Sequence, residues 1–297
     1  MVKRLISANA SEIVAMTPTE LKQSIKASDG RVILSENVVT RIPIIPDISN
    51  AELARAFGAD LILLNGLDAL EPAIVNIEGE NSIELLKRYV GRPIGVNIEP
   101  VDETANMNAT KLTIATGRQA NPQTVQALEK LKIDFVCMTG NPGTGVTNAK
   151  ITEAIKTTRT HFSGLIIAGK MHSAGVDEPV ITENYVEQFM NAGADIILVP
   201  AIGTVPGFGE CQLRTIVSTV HQHGGLVMSA IGTSQESSDV STIREFAIKN
   251  KMCGVDIQHI GDAGYGGLAP VENIYEMSKA IRGARHTISM IARSINR

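Results

Sequence analysis

The sequence predicts a (β/α)8 TIM barrel with an N-terminal helical cover and an extra C-terminal helix. First, a short apolar run that ends in a polar or glycine turn and is followed by an amphipathic helical stretch recurs eight times. The runs are VILSEN from Val32, LILLNG from Leu61, PIGVNIEP from Pro93, FVCMTGNP from Phe135, LIIAGK from Leu165, IILVPAIG from Ile196, LVMSAIG from Leu226 and VDIQHIGDAG from Val255. Second, successive starts differ by 29, 32, 42, 30, 31, 30 and 29 residues, close to one strand, one helix and two loops. Third, apolar strands alternating with helices call for a parallel sheet covered on both faces. The first turn, in VILSENVV, lacks the GxGxxG of an open dinucleotide-binding sheet, and eight equal units favour closure.

In chain order, residues 1–30 form a short helical cover, with Thr17 as N-cap and Pro18 at the first helical position, placed to plug the bottom of the barrel. The first strand ends in Glu36 and Asn37, one of which must point inward. Gly58-Ala-Asp60 precedes the second strand and Gly193-Ala-Asp195 the sixth, each glycine marking a helix C-terminus; Gly224-Gly225 serves the same purpose before the seventh. From Pro270 to Arg297 two helical segments are split near Gly283. That is one more than closure requires, and the spare one is a candidate cover for an oligomer face. No linker, low-complexity tract or charge block interrupts the chain, so residues 1–297 read as one barrel domain.

At this length the chain buries about three quarters of its unfolded surface and needs no disulfide staples. Lys plus Arg number 27 against 31 acidic residues, and aromatic residues are 3%, which excludes the basic, stacking surface of a nucleic-acid binder. Cys137, Cys211 and Cys253 make neither a CxxC pair nor a metal spacing, as expected in a reducing cytoplasm. The N-terminal MVKRLISAN is too sparing of apolar residues for a signal peptide, and no run approaches the roughly 20 residues of a membrane span. The reading is a soluble cytoplasmic protein with no membrane partner. No organic cofactor motif and no metal-ligand set is assigned, although a divalent metal stays open as a cofactor.

Function in such a barrel sits at the C-terminal ends of the strands. On the third strand, alternation sends Ile94, Val96 and Ile98 toward the helices and Gly95, Asn97 and Glu99 toward the axis. A carboxylate there is costly unless paired, hydrated or used on a ligand, which makes Glu99 the acid/base candidate, with a structural ion pair as the alternative. Lys170 closes the fifth strand, and alternation groups it with Ile166 and Ala168 facing inward, as a partner for Glu99. It is a candidate anion ligand, carbonyl-polarising donor or Schiff base. Asn65 ends the second strand as a candidate hydrogen-bond partner of substrate. His172, just beyond Lys170, and His259, near the end of the last strand, are candidate proton shuttles.

The eighth unit ends in Gly261-Asp-Ala-Gly-Tyr-Gly-Gly267. Consecutive glycines let backbone N–H groups approach an anion, so Gly261, Asp262, Gly264, Gly266 and Gly267 are candidate phosphate-site residues, with Gly232, Thr233 and Ser234 from the seventh loop. Asp262 is the discordant member, since a carboxylate repels phosphate. The sixth loop, Gly203 to Gly209 with Phe208, has the composition of a lid, and the fourth, Thr139 to Gly145, offers Asn141 and Thr144.

The segments LILLNGLD, VNIEP, CMTGNPGTG, IIAGKMHSAGVD, ILVPAIGTVPGFGE and HIGDAGYGG resemble, over essentially the whole chain, an uncharacterised family of bacterial barrel proteins. Its members are often labelled haloacid-dehalogenase-like hydrolase or phosphonomutase-like. The first label implies an Asp-x-Asp pair, which the chain lacks; the second implies an acidic magnesium cluster on strands two and three, of which only Glu99 is present. More distantly, the seventh and eighth loops look like those of phosphate-binding barrels. The expectation is an enzyme acting on a small phosphorylated, sugar-phosphate-like metabolite by proton abstraction beside a carbonyl or aldol-type cleavage, with Glu99 as base and Lys170 as electrophile. Hydrolysis of a phosphate or halide bond, and a non-catalytic phosphometabolite-binding barrel, are the alternatives.

Overall fold

The computed structural model describes residues 2–79, 81–108 and 110–297. Its strands are β1 (Val32–Val38), β2 (Leu61–Asn65), β3 (Ile94–Ile98), β4 (Phe135–Met138), β5 (Leu165–Gly169), β6 (Ile196–Pro200), β7 (Leu226–Ile231) and β8 (Ile257–Ile260). All are parallel and pair in sequence order, with β8 returning to β1. Parallel neighbours need crossovers, supplied by α3 (Asn50–Phe57), α4 (Ser82–Val90), α5 (Pro122–Lys130), α6 (Asn148–Arg159), α7 (Glu183–Ala192), α8 (Glu210–Gln222) and α9 (Val240–Met252). Before β1 lie α1 (Ala10–Val14) and α2 (Pro18–Lys26); α10 (Val271–Ala292) follows β8. No helix of the described residues is long and apolar enough to cross a membrane.

Alternation along the strands divides the apolar residues between two cores. Leu34, Leu63, Phe135, Ile167, Leu198 and Met228 fill the barrel, and Leu5, Ile13, Leu21 and Ile25 of the N-terminal cover close it from below. Thr17 caps α2 through the N–H of Glu20, as its position before Pro18 predicts. Ile62, Val96, Val136, Ile166 and Val227 pack outward against the helices. Gly95 is small because the Phe135 ring occupies its place: a Cβ there would lie 2.0 Å from it.

On β5 the expected phase is reversed. Leu165 and Ile167 point into the barrel, and Ile166 and Ala168 face the helices. Every residue of this strand is buried, so the alternation carries no contrast from which the phase could be read.

At the N-terminal ends of the strands four aspartates repeat one device. Asp60, Asp134, Asp195 and Asp256 each precede an even strand and accept, through Oδ2, the N–H of an odd-strand residue: Ile33 at 2.9 Å, Ile94 at 2.8 Å, Ile166 at 3.0 Å and Val227 at 2.8 Å. The backbone N–H of each aspartate donates to the carbonyl of that same residue. Arg282, Lys87, Arg159 and His221, respectively, pair with the four carboxylates. Strand-end N–H groups that the ladder cannot reach are thereby satisfied.

α10 breaks at Gly283, whose φ of 74° suits a residue without a Cβ. Beyond the break the chain returns to its own base, where Met290 is buried and Arg293 donates to the Ser7 carbonyl and Asn9 Oδ1. The spare segment therefore packs on this chain's N-terminal cover.

Candidate active site

A cavity of about 120 Å³ opens at the C-terminal ends of the strands. Inward-facing positions supply Glu36 from β1, Asn65 from β2 and Asn97 from β3, and Thr139 follows β4. Of the two residues ending β1, Glu36 faces this cavity and Asn37 a separate small void beside Asn50. Loops complete the wall with Asn141 after β4, Met171 and His172 after β5, Gly232, Ser234 and Glu236 after β7, and Gly261 and Asp262 after β8.

The polar side chains form a connected set. Asn65 Nδ2 donates to Asp262 Oδ2 at 2.8 Å and to Asn141 Oδ1 at 2.9 Å. Asn141 donates its backbone N–H and its Nδ2 to Glu99, both at 2.8 Å, and Arg118 reaches Glu99 Oε1 at 3.0 Å. Loop four is braced by Thr144, which donates to the Asn141 carbonyl, and by the long third loop, whose Asp102 and Leu112 N–H groups donate to the carbonyls of Gly145 and Gly143. Across the cavity, Glu36 Oε2 and His259 Nε2 share a hydrogen bond of 2.8 Å, and Glu236 Oε1 accepts the N–H of Ala263 at 2.8 Å. Asn97 Oδ1, Thr139 Oγ1, Glu236 Oε2 and His259 Nδ1 are buried without a protein partner, as groups awaiting a ligand or water would be.

Burial governs the protonation of this set. It pushes Glu36 up to about 8, helped by the negative charges of Glu236 and Glu99. Burial, with the neighbouring Glu36, raises Asp262 to about 7, and Glu236 is raised mainly by burial. His259 is driven down to about 4 by burial, and His172 to about 4 by burial and by the charge of Lys170. Both imidazoles are therefore neutral near pH 7, while two carboxyls titrate there.

The sequence-predicted residues divide accordingly. Asn65, Asn97, His172, Gly232, Ser234, Gly261 and Asp262 meet at the cavity, and His259 lies behind it on Glu36. Glu99 and Lys170 do not meet each other and do not line it. Glu99 is buried beneath Asn141 and paired with Arg118, whereas Lys170, fully buried on the outer side of β5, is held by Glu178 at 2.9 Å. Desolvation lowers the Lys170 pKa, and Glu178 opposes that shift.

Three glycines of loop eight lie against neighbouring segments of the chain, while Gly261 lines the cavity. A Cβ at Gly264 would meet the Leu268 carbonyl, one at Gly266 the backbone of Ile42 to Ile44, and one at Gly267 the side chains of Val38 and Arg41, so these glycines let loop eight pack closely. Thr233 turns to the Thr204 carbonyl. In loop six Phe208 is buried in the outer core and Gly203 lies against Phe246, so neither is poised over the cavity.

Glu236, which also lines the cavity, has no signal in the sequence. It sits in a short turn after β7 with no periodicity to reveal its direction. Among the described residues, no three His, Cys, Asp or Glu side chains converge closely enough to hold a metal ion.

A family model described as a domain of unknown function, DUF7916, matches residues 6–297. The chain belongs to the DUF7916 family. No curated protein matches this family member at a significant level. Solved structures of similar fold include 2,3-dimethylmalate lyase, a PEP mutase/isocitrate lyase superfamily member, at 14% identity over 82% of this chain and 81% of that one, with a TM-score of 0.50. They also include thiamine phosphate pyrophosphorylase from Pyrococcus furiosus (14%, 86% and 100%, TM-score 0.47) and QR15, an aldolase (14%, 82% and 94%, TM-score 0.47). At such identities the likeness bears on the barrel alone. The 2,3-dimethylmalate lyase structure agrees with the phosphonomutase-like resemblance at the level of fold, and nothing supports the haloacid-dehalogenase-like label.

Proposed function

We propose that this DUF7916 barrel is an acid–base enzyme of the lyase or isomerase type, acting on a small hydroxylated carbonyl compound by proton abstraction beside the carbonyl or by aldol-type cleavage. The carrying observation is geometric: Asp262, held by Asn65 at 2.8 Å, and Glu36, held by His259 at 2.8 Å, face one cavity, and burial pushes them up to about 7 and about 8. Groups so tuned exchange protons readily near neutral pH.

In this reading Asp262, oriented by Asn65, is the base. For cleavage it takes the proton of the substrate hydroxyl; the carbon–carbon bond breaks, and its electron pair passes to the neighbouring carbonyl as an enolate. Glu36, held protonated, donates a hydrogen bond to the enolate oxygen and then returns a proton, with His259 fixing its orientation. For isomerisation, Asp262 removes a proton from the carbon beside the carbonyl instead. The cavity's acidic lining consists of three carboxyl groups, and no lysine or arginine lines it among the described residues. We therefore place no phosphate group at loops seven and eight.

The test is carbon-bound deuterium uptake by hydroxyacetone in D2O, followed by mass spectrometry. The reading expects catalysed uptake, lowered by about 10² to 10⁴ in Asp262→Asn, as for a positioned general base. Uptake that survives this substitution unchanged would remove Asp262 from the chemistry.

A further inference from the structure

Resting on that reading of the cavity, we infer that the substrate carries a cationic amino group taken up by Glu236, and that a hydroxyl or carbonyl of the same molecule meets Asn97 and Thr139.

Glu36, Glu236 and Asp262 all line one cavity, yet none faces a lysine or arginine there, and the two imidazoles in reach, His172 and His259 on Glu36, are neutral near pH 7. Arg118 and Lys170 are committed to Glu99 and Glu178 behind the wall. Buried carboxylates without a counter-charge are costly, and a cationic ligand removes that cost. Glu236 is 1% exposed and spends only Oε1 on Ala263, leaving Oε2 without a partner.

A second observation is independent of the acidic groups. Asn97 Oδ1 and Thr139 Oγ1, on residues 3% and 2% exposed, also lack partners. In the closed strand order β3 and β4 stand across the barrel from β7 and β8, so the two sets of unpartnered atoms define the two ends of one ligand. An ammonium group offers three donors and needs few acceptors. A hard divalent cation wants about six oxygens, and the described residues gather no such set. The volume, about 120 Å³, suits a molecule of a few heavy atoms.

Calorimetric titration of the full chain with serinol and with glycerol, which differ only in an ammonium or a hydroxyl on the central carbon, tests this directly. Serinol should bind at least about tenfold more tightly, the scale of a charge-assisted hydrogen bond, and glycerol 2-phosphate should bind most weakly. Binding of serinol at pH 6, compared in buffers of different ionisation enthalpy, should release the proton of Asp262, which burial raises to about 7; Glu36, Glu236, His259 and His172 are the other titratable groups in reach. Glu236→Gln should erase the preference for serinol over glycerol. Equal affinity for serinol and glycerol, a preference for glycerol 2-phosphate, or magnesium binding that displaces serinol would overturn the inference, and the comparison on the unaltered protein holds whether or not the variant folds. Deuterium uptake into hydroxyacetone that persists without any serinol preference would overturn this inference alone and leave the acid–base reading standing.

Discussion

Asn141 gives both its backbone N–H and its side-chain amide to the Glu99 carboxylate, each at 2.8 Å. Glu99 therefore acts on the cavity through Asn141, and Asn141 acts through Asn65 on Asp262. In Glu99→Gln one acceptor becomes a donor that opposes Asn141 and Arg118. Deuterium uptake should fall by roughly tenfold, as when a residue orienting a functional group is lost, while the pH profile of the remaining activity keeps both limbs. Loss of a limb would mark Glu99 as a proton-transferring group in its own right.

The pH profile of uptake should be a narrow bell. The rate rises as Asp262 gives up its proton around pH 7 and falls as Glu36 gives up its own around pH 8, the two apparent values belonging to the pair. Glu36→Gln cannot lose a proton, so its slower activity should hold level into the alkaline range. A profile flat from pH 6 to 9 in the unaltered protein would contradict the scheme.

The same carboxyl makes stability depend on pH. The folded protein binds the Glu36 proton more tightly than the unfolded chain, whose value is the ordinary 4.5. The stability this gives is complete below about pH 4.5 and is lost as the pH rises through about 8. Urea unfolding at pH 5 and pH 9 should show Glu36→Gln gaining on the unaltered protein by about 2 to 4 kcal/mol across that range. A constant difference between the two proteins would mean that Glu36 is ionised throughout.

Lys170 should resist chemistry. Being fully buried and held by Glu178, it should yield no mass-spectrometric adduct when borohydride is added with hydroxyacetone, and Lys170→Met should cost about 1 to 3 kcal/mol, reduced from a fully buried pair because Glu178 keeps some exposure to water. A reduced adduct on Lys170 would restore the Schiff-base role.

The fold was legible because its signal is periodic: eight runs at a nearly constant spacing became eight strands in order. Direction within a strand was legible only where composition differs between faces. On β3 the polar Asn97 alternates with Ile94, Val96 and Ile98 and lines the cavity as read, while Glu99, one residue past the strand, is held behind the wall by Asn141 and Arg118. On β5 apolar residues occupy both faces, so Lys170 was assigned to the wrong one. Partners were harder still. Arg118 lies 19 residues and Asn141 42 residues from Glu99, in loops whose paths are set by tertiary packing. Glu36 could be narrowed to one of two adjacent residues, and Glu236 had no pattern at all.

The four aspartates at the base have a consequence for how the chain assembles. Each joins residues only 27, 40, 29 or 29 positions apart and spans one strand, one helix and the start of the next strand. Such closures carry a modest entropic cost, so each quarter of the barrel can tie off its own ends before the ring is complete. A circular permutant opened after β2, β4 or β6 keeps every clasp within a continuous stretch of chain. One opened within the β3-to-β4 connection turns the 40-residue closure into a contact between distant ends of the molecule. The cohesive piece of this architecture is thus the strand pair, repeated four times, and the ring closes over joints that already exist.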